Sequence, residues 1–115
     1  MSVQNFRREQ RLARRYVEKT ASATLTADEL EFGFIAGNHA SNTVALTLPA
    51  ADASMKGYDS LIVCKGAANT TVTVSGGFGG GGAGQDTVTL AQGEMCQVFC
   101  DGEKWYVLHH TAPAY

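Results

Sequence analysis

The chain has 115 residues, 44% of them hydrophobic and 17% charged, with a formal net charge of −2. Those values fit one globular domain, long enough for a core but near the size at which self-association often adds stability. They exclude a membrane-spanning helix, since no apolar run approaches the ~18 residues one requires.

Charge is unevenly placed. Residues 1 to 20 hold Arg7, Arg8, Arg11, Arg14, Arg15 and Lys19 against Glu9 and Glu18, whereas the remainder holds three lysines against nine acids. A basic arm precedes an acidic body. The start carries charge where a secretion signal needs an apolar stretch, so the protein is expected to be made in a cytoplasm.

From Val3 to about Lys19 there is no Gly or Pro. Wound at 3.6 residues per turn, the basic side chains fall within an arc of roughly 140°. Val3, Phe6, Ala13, Tyr16 and Val17 lie opposite, with Leu12 at the border. This predicts a basic amphipathic helix over the arm, residues 1 to 20. Such a helix lies either on a partner or on its own body, and a disordered arm could also order on a partner.

After Thr20 the sequence changes to short β-rich runs separated by turn residues. Strands are expected near Ala21–Ala27, Leu30–Ile35, Thr43–Leu48, Ser60–Lys65, Thr70–Ser75, Thr87–Ala91, Glu94–Cys100 and Trp105–His109. About eight short strands so spaced predict an all-β domain over residues 21 to 115, of β-sandwich or jelly-roll type. Asp101-Gly102 between the last two runs is a strong hairpin signal.

The stretch Gly76–Gly84 contains seven glycines in nine positions. A phosphate-binding loop would need a following Lys and helix, which are missing. The cluster therefore reads as a hairpin tip between two alternating runs, with Phe78 as a lone exposed apolar residue, and is either mobile in the free protein, the favoured reading, or packed tightly against another surface.

Convergent catalytic groups are sparse. Cys64, Cys96 and Cys100 form no CxxC or CxH spacing, and four residues of strand would set Cys96 and Cys100 roughly 13 Å apart, too far for a disulfide. They read as small buried hydrophobes. His39 falls in a loop, and His109 and His110 point to opposite faces of a strand. No enzyme activity, metal or cofactor is expected.

The segments "VALTLPAADASMKGYDSLIVCKGAANTTVTVSGG" and "DTVTLAQGEMCQVFCDGEKWYVL" resemble a pattern common in structural proteins of tailed bacteriophages. Leu48, Pro49, Gly57, Tyr58, Ile62, Val72, Val74, Leu90, Gly93, Glu94, Asp101, Gly102, Trp105, Tyr106 and Val107 carry the resemblance, which spans roughly residues 43 to 108. The glycine cluster replaces a shorter connection, and the arm lies outside the pattern.

What the resemblance implies is a scaffold used in head decoration or cement proteins and in tail-fibre modules. A short chain with its own basic arm fits the first: a cement on the capsid exterior of a virion, binding the major capsid protein and further copies of itself, a trimer before a dimer. Phe6, Arg7, Arg8, Arg11, Leu12, Arg14, Arg15 and Tyr16 would make the partner contact. The alternative is a tail-fibre or tail-tip module for host glycans, met by loops 37 to 42 and 76 to 84 with His39 and Phe78. An acidic body with aromatics that read as buried argues against a nucleic-acid groove.

Overall fold

A computed structural model describes residues 13–80 and 86–110. In chain order these form β1 (Arg15–Lys19), β2 (Ala23–Thr24), the single helical turn α1 (Ala27–Leu30), β3 (Gly33–Gly37), β4 (Val44–Leu48) and a 3-10 turn (Ala53–Met55). Then follow β5 (Asp59–Cys64), β6 (Thr70–Val74), β7 (Thr87–Leu90), β8 (Met95–Cys100) and β9 (Trp105–His110). The strands build two mixed sheets, A in the order β1-β3-β5-β8-β9 and B in the order β2-β4-β6-β7. The expectation of an all-β chain holds at that level.

The connectivity differs from an antiparallel meander. From β1 to β6 consecutive strands alternate between the sheets, and β1, β3 and β5 pair in parallel, as do β2, β4 and β6. Parallel neighbours need a crossover, and here the crossover contains a strand of the other sheet rather than a long helix. The last three strands close the structure in antiparallel fashion, β7 on β6, β8 on β5 and β9 on β8. The β6–β7 and β8–β9 hairpins match the sequence expectation.

Alternation explains the layering. β4, β5 and β6 bury every second position, and these side chains, apolar apart from Ser60 and Thr70, turn into one core shared by both sheets. Ile35, Ile62, Val98 and Trp105 come from sheet A; Val44, Leu46, Val72 and Leu90 come from sheet B; Leu25 and Leu30 join them from the segment between β2 and β3. Cys64, Cys96 and Cys100 are buried free thiols, as their spacing predicted. Burial pushes the Cys96 thiol up to about 12.

The expected arm helix requires a correction. Residues 3 to 12 lie outside the described residues, but Arg15–Lys19 is strand β1 at the edge of sheet A, with Tyr16 beside Phe34 and Val17 beside Ile35. Over five residues a helical and an extended pattern are hard to separate, and the open edge of β3 supplies the backbone partners that decide the outcome. The described end of the arm is thus part of the body.

A second departure is α1, which fills the gap between the strands expected at Ala21–Ala27 and Leu30–Ile35 and takes one residue from each. Thr26 and Glu29 form a reciprocal capping box around it. That device satisfies two otherwise orphaned backbone N–H groups and makes a single turn sustainable.

Candidate interaction surface

The outer faces of the two sheets differ in chemistry. On sheet B, Thr24, Thr47, Thr73 and Thr87 fall into one cross-strand row, beside Ala45, Thr71 and Thr89 in the next. This face is polar and readily hydrated. On sheet A the corresponding rows are Tyr16, Phe34, Leu61, Gln97 and Leu108, then Asp59, Phe99 and Tyr106, with Val63 beside Met95. Among the described residues, Tyr16 (54%), Leu108 (49%), Tyr106 (40%) and Phe99 (39%) are the exposed large hydrophobics, and all four lie on this one face. Monomeric proteins rarely leave contiguous apolar patches larger than a few hundred Å² open to water.

Two ion pairs within the chain flank this face. Arg14 Nη2 lies 2.8 Å from Asp59 Oδ1, and its guanidinium stands 4.1 Å from the centre of the Phe32 ring. Its Nη1 also donates to the carbonyls of Gly33 and Asp59 at 3.3 and 3.4 Å. Phe32 occupies a left-handed conformation, φ 55°, as the chain leaves α1, and costs roughly 1–2 kcal/mol that the Arg14 contact helps to offset. Arg14, expected in the partner contact, is therefore engaged by the body itself.

At the other end of the face, Lys65 Nζ meets Glu18 Oε1 at 3.1 Å, and the Tyr16 hydroxyl donates to the same oxygen at 2.9 Å. The Tyr16 ring stacks on Phe34 with centroids 5.9 Å apart. Tyr16, Phe34, Ala36, Val63 and Lys65 line an open groove of about 430 Å³. A second hollow of about 250 Å³ is lined by Glu31, Phe32, Gly57, Tyr58 and Asp59.

The carboxyls that fasten β1 are shifted in one direction. Hydrogen bonds from Tyr16, then Lys65 and Asn38, hold Glu18 below its usual 4.5. For Glu29, burial pushes upward, but Lys19, 2.7 Å away, and the Thr26 cap outweigh it and the carboxyl also lies low. Folded values below the unfolded ones mean stabilisation that is complete above about 4.5 and is lost as the pH falls through the folded values. Acidification should therefore loosen β1 before the central strands. Hydrogen exchange corrected for intrinsic rates should show β1 amides losing protection relative to β5 on going from about pH 6 to about pH 3; an unchanged ratio would mean these pairs do not hold the edge.

The remaining sequence candidates are placed as follows. Arg15 is exposed at the start of β1, whereas Phe6, Arg7, Arg8, Arg11 and Leu12 lie outside the described residues. His39 is occupied in its own loop, where Nδ1 accepts from the backbone N–H groups of Ser41 and Asn42 at 3.1 and 2.9 Å. Phe78 is corrected from an exposed loop residue to a buried one, 8% exposed. Left-handed Gly76 and Gly77 turn the chain back, and Gly79 N–H donates to the Trp105 carbonyl at 2.7 Å. A Cβ on Gly79 would lie 2.5 Å from the Tyr106 ring, so that glycine permits close approach to sheet A.

The large feature that sequence reading missed is the apolar outer face of sheet A. Its signal is present in the unbroken runs Phe34-Ile35-Ala36 and Leu61-Ile62-Val63, which mark strands apolar on both sides. Among the described residues, no group of three or more His, Cys, Asp or Glu side chains is placed to hold a metal ion. No protein-family model, curated protein or solved structure matches the chain.

Proposed function

We propose that the protein is a structural component of a bacteriophage particle, a decoration or cement protein that attaches non-covalently to the assembled capsid exterior and bridges major capsid protein subunits. The observation that carries this reading is the aromatic and aliphatic face of sheet A, which gives copies of the chain a surface on which to associate on the particle and is flanked by the Arg14–Asp59 and Lys65–Glu18 pairs. It offers area for association, not convergent groups for chemistry. The resemblance of residues 43 to 108 to phage structural proteins supports the same conclusion. In finer architectural terms we read the two layers as a β-sandwich; the parallel pairs favour this over a jelly roll, whose strands run antiparallel.

Capsid attachment falls to the arm, and Arg14 and Lys19 are already paired with Asp59 and Glu29. Phe6, Arg7, Arg8, Arg11 and Leu12, with exposed Arg15, are the residues assigned to it. Many such arms on a repeated lattice raise avidity by ~10²–10⁴ with no strong single contact. The tail-fibre alternative finds less support, since His39 and Phe78 are both engaged within the fold.

The test is truncation before Ala13, which leaves β1 intact. The shortened protein should fold and fail to co-sediment with purified phage heads, and Arg7→Glu, Arg8→Glu and Arg11→Glu together should weaken attachment. Raised salt should partly mimic the charge reversal, because exposed contacts are screened over ~8 Å at physiological ionic strength. Undiminished head binding with loss of host adsorption would replace the cement reading by the tail-tip one.

A further inference from the structure

We propose that the outer face of sheet A is the surface through which two copies of this chain associate, face to face and about a twofold axis. This rests on the reading of the protein as a self-associating virion component and names the surface responsible.

The first argument is area. A large aromatic side chain can bury about 150–250 Å², so Tyr16, Phe99 and Tyr106 at 39–54% exposure offer on the order of 100 Å² each, and the half-exposed Leu108 a little less. The half-buried Phe34, Leu61, Val63, Met95 and Gln97 between them bring the face to roughly 600 Å². Two such faces would bury about 1,200 Å², the lower limit of specific protein interfaces. A reversible, concentration-dependent dimer is the expected strength.

The second argument is charge, and it selects the occupant. Residues 21–115 carry nine acids against three lysines, so two copies repel where these acidic surfaces meet. At the sheet A face Asp59 is paired with Arg14 and Glu18 with Lys65, while Asp101, at the margin beside Tyr106, is neutralised only in part by the backbone N–H groups of Glu103 and Lys104. A twofold contact sets each surface against its own duplicate, and a face whose central acids are paired, with Asp101 left at its margin, meets its copy with the least new repulsion. A strongly charged partner would gain nothing from this face.

The full-length protein decides the matter in sedimentation equilibrium, between about 1 and 100 μM. The wild type should shift from monomer to dimer across that range, and Leu108→Asp or Phe99→Asp should raise the dissociation constant roughly tenfold or more. Far-UV circular dichroism should be unchanged, and Thr89→Asp on the hydrated face of sheet B should dimerise like wild type. If the aspartate variants misfold, Leu108→Ser tests the same contact with less disruption. A wild type monomeric at about 100 μM, or weakened as much by Thr89→Asp as by Leu108→Asp, overturns the assignment. Dimerisation without head binding would overturn the cement reading and leave this inference standing; a monomer that decorates heads would do the reverse.

Discussion

Trp105→Ala should remove about 3–5 kcal/mol of stability, the range for deleting a fully buried aromatic and leaving its cavity. Trp105 is 1% exposed and opens β9 opposite Cys100, at the end where the two sheets close. Its Nε1 donates to the Pro49 carbonyl at 2.8 Å, and its own carbonyl accepts from Gly79, so one residue ties the β4 exit and the glycine loop to sheet A. Small domains hold only about 5–15 kcal/mol in total, which makes this a large fraction. Denaturant titration should show the midpoint falling steeply. Trp105→Phe should retain most of the packing and lose mainly the Pro49 hydrogen bond, about 1 kcal/mol. A loss below about 1 kcal/mol for the alanine variant would mean that the indole does not fill the core.

The β8–β9 hairpin shows what was legible in the sequence. Asp101-Gly102 specifies the turn locally, with Gly102 at φ 95° and Asp101 Oδ1 accepting from the backbone N–H groups of Glu103 and Lys104 at 2.8 Å each. Such signals need no distant partner. The parallel pairing of β1 with β3 and of β3 with β5 is different, because alternation marks which face is buried but says nothing of the direction of the neighbour. The candidate surface was hidden for the same reason. Tyr16 and Leu108 are 92 positions apart in sequence and share a row only through four successive registers. The capping box at Thr26 and Glu29 was readable, yet one helical turn leaves too little periodicity to stand against the β-rich residues around it. Arg14 was read as a free basic residue because its partners, Asp59 and the Phe32 ring, approach only once β1 joins sheet A.

Gly33→Ala should be nearly as damaging as loss of the tryptophan, although it adds one methyl group. A Cβ at Gly33 would coincide with the backbone carbonyl of Glu29, the last turn of α1, and backbone atoms cannot rotate aside as a side chain can. Relief would require α1 to lift from β3. Ser60, fully buried, holds that junction by donating from Oγ to the Leu30 carbonyl at 2.6 Å while accepting from the Gly33 N–H at 3.2 Å. Lifting α1 would break the Ser60–Leu30 bond, expose the fully buried Leu30 and loosen the Lys19–Glu29 pair that fastens β1. Overpacking of this kind costs about 1–3 kcal/mol, and the rigid obstacle places the expected loss at roughly 3. Because β1 carries Tyr16, the same substitution should also weaken self-association at the sheet A face, measurable by sedimentation at temperatures where the variant remains folded. Unchanged stability in Gly33→Ala would show that α1 can move without cost, and the anchoring of β1 would then have to be assigned to Arg14 and Glu18 alone.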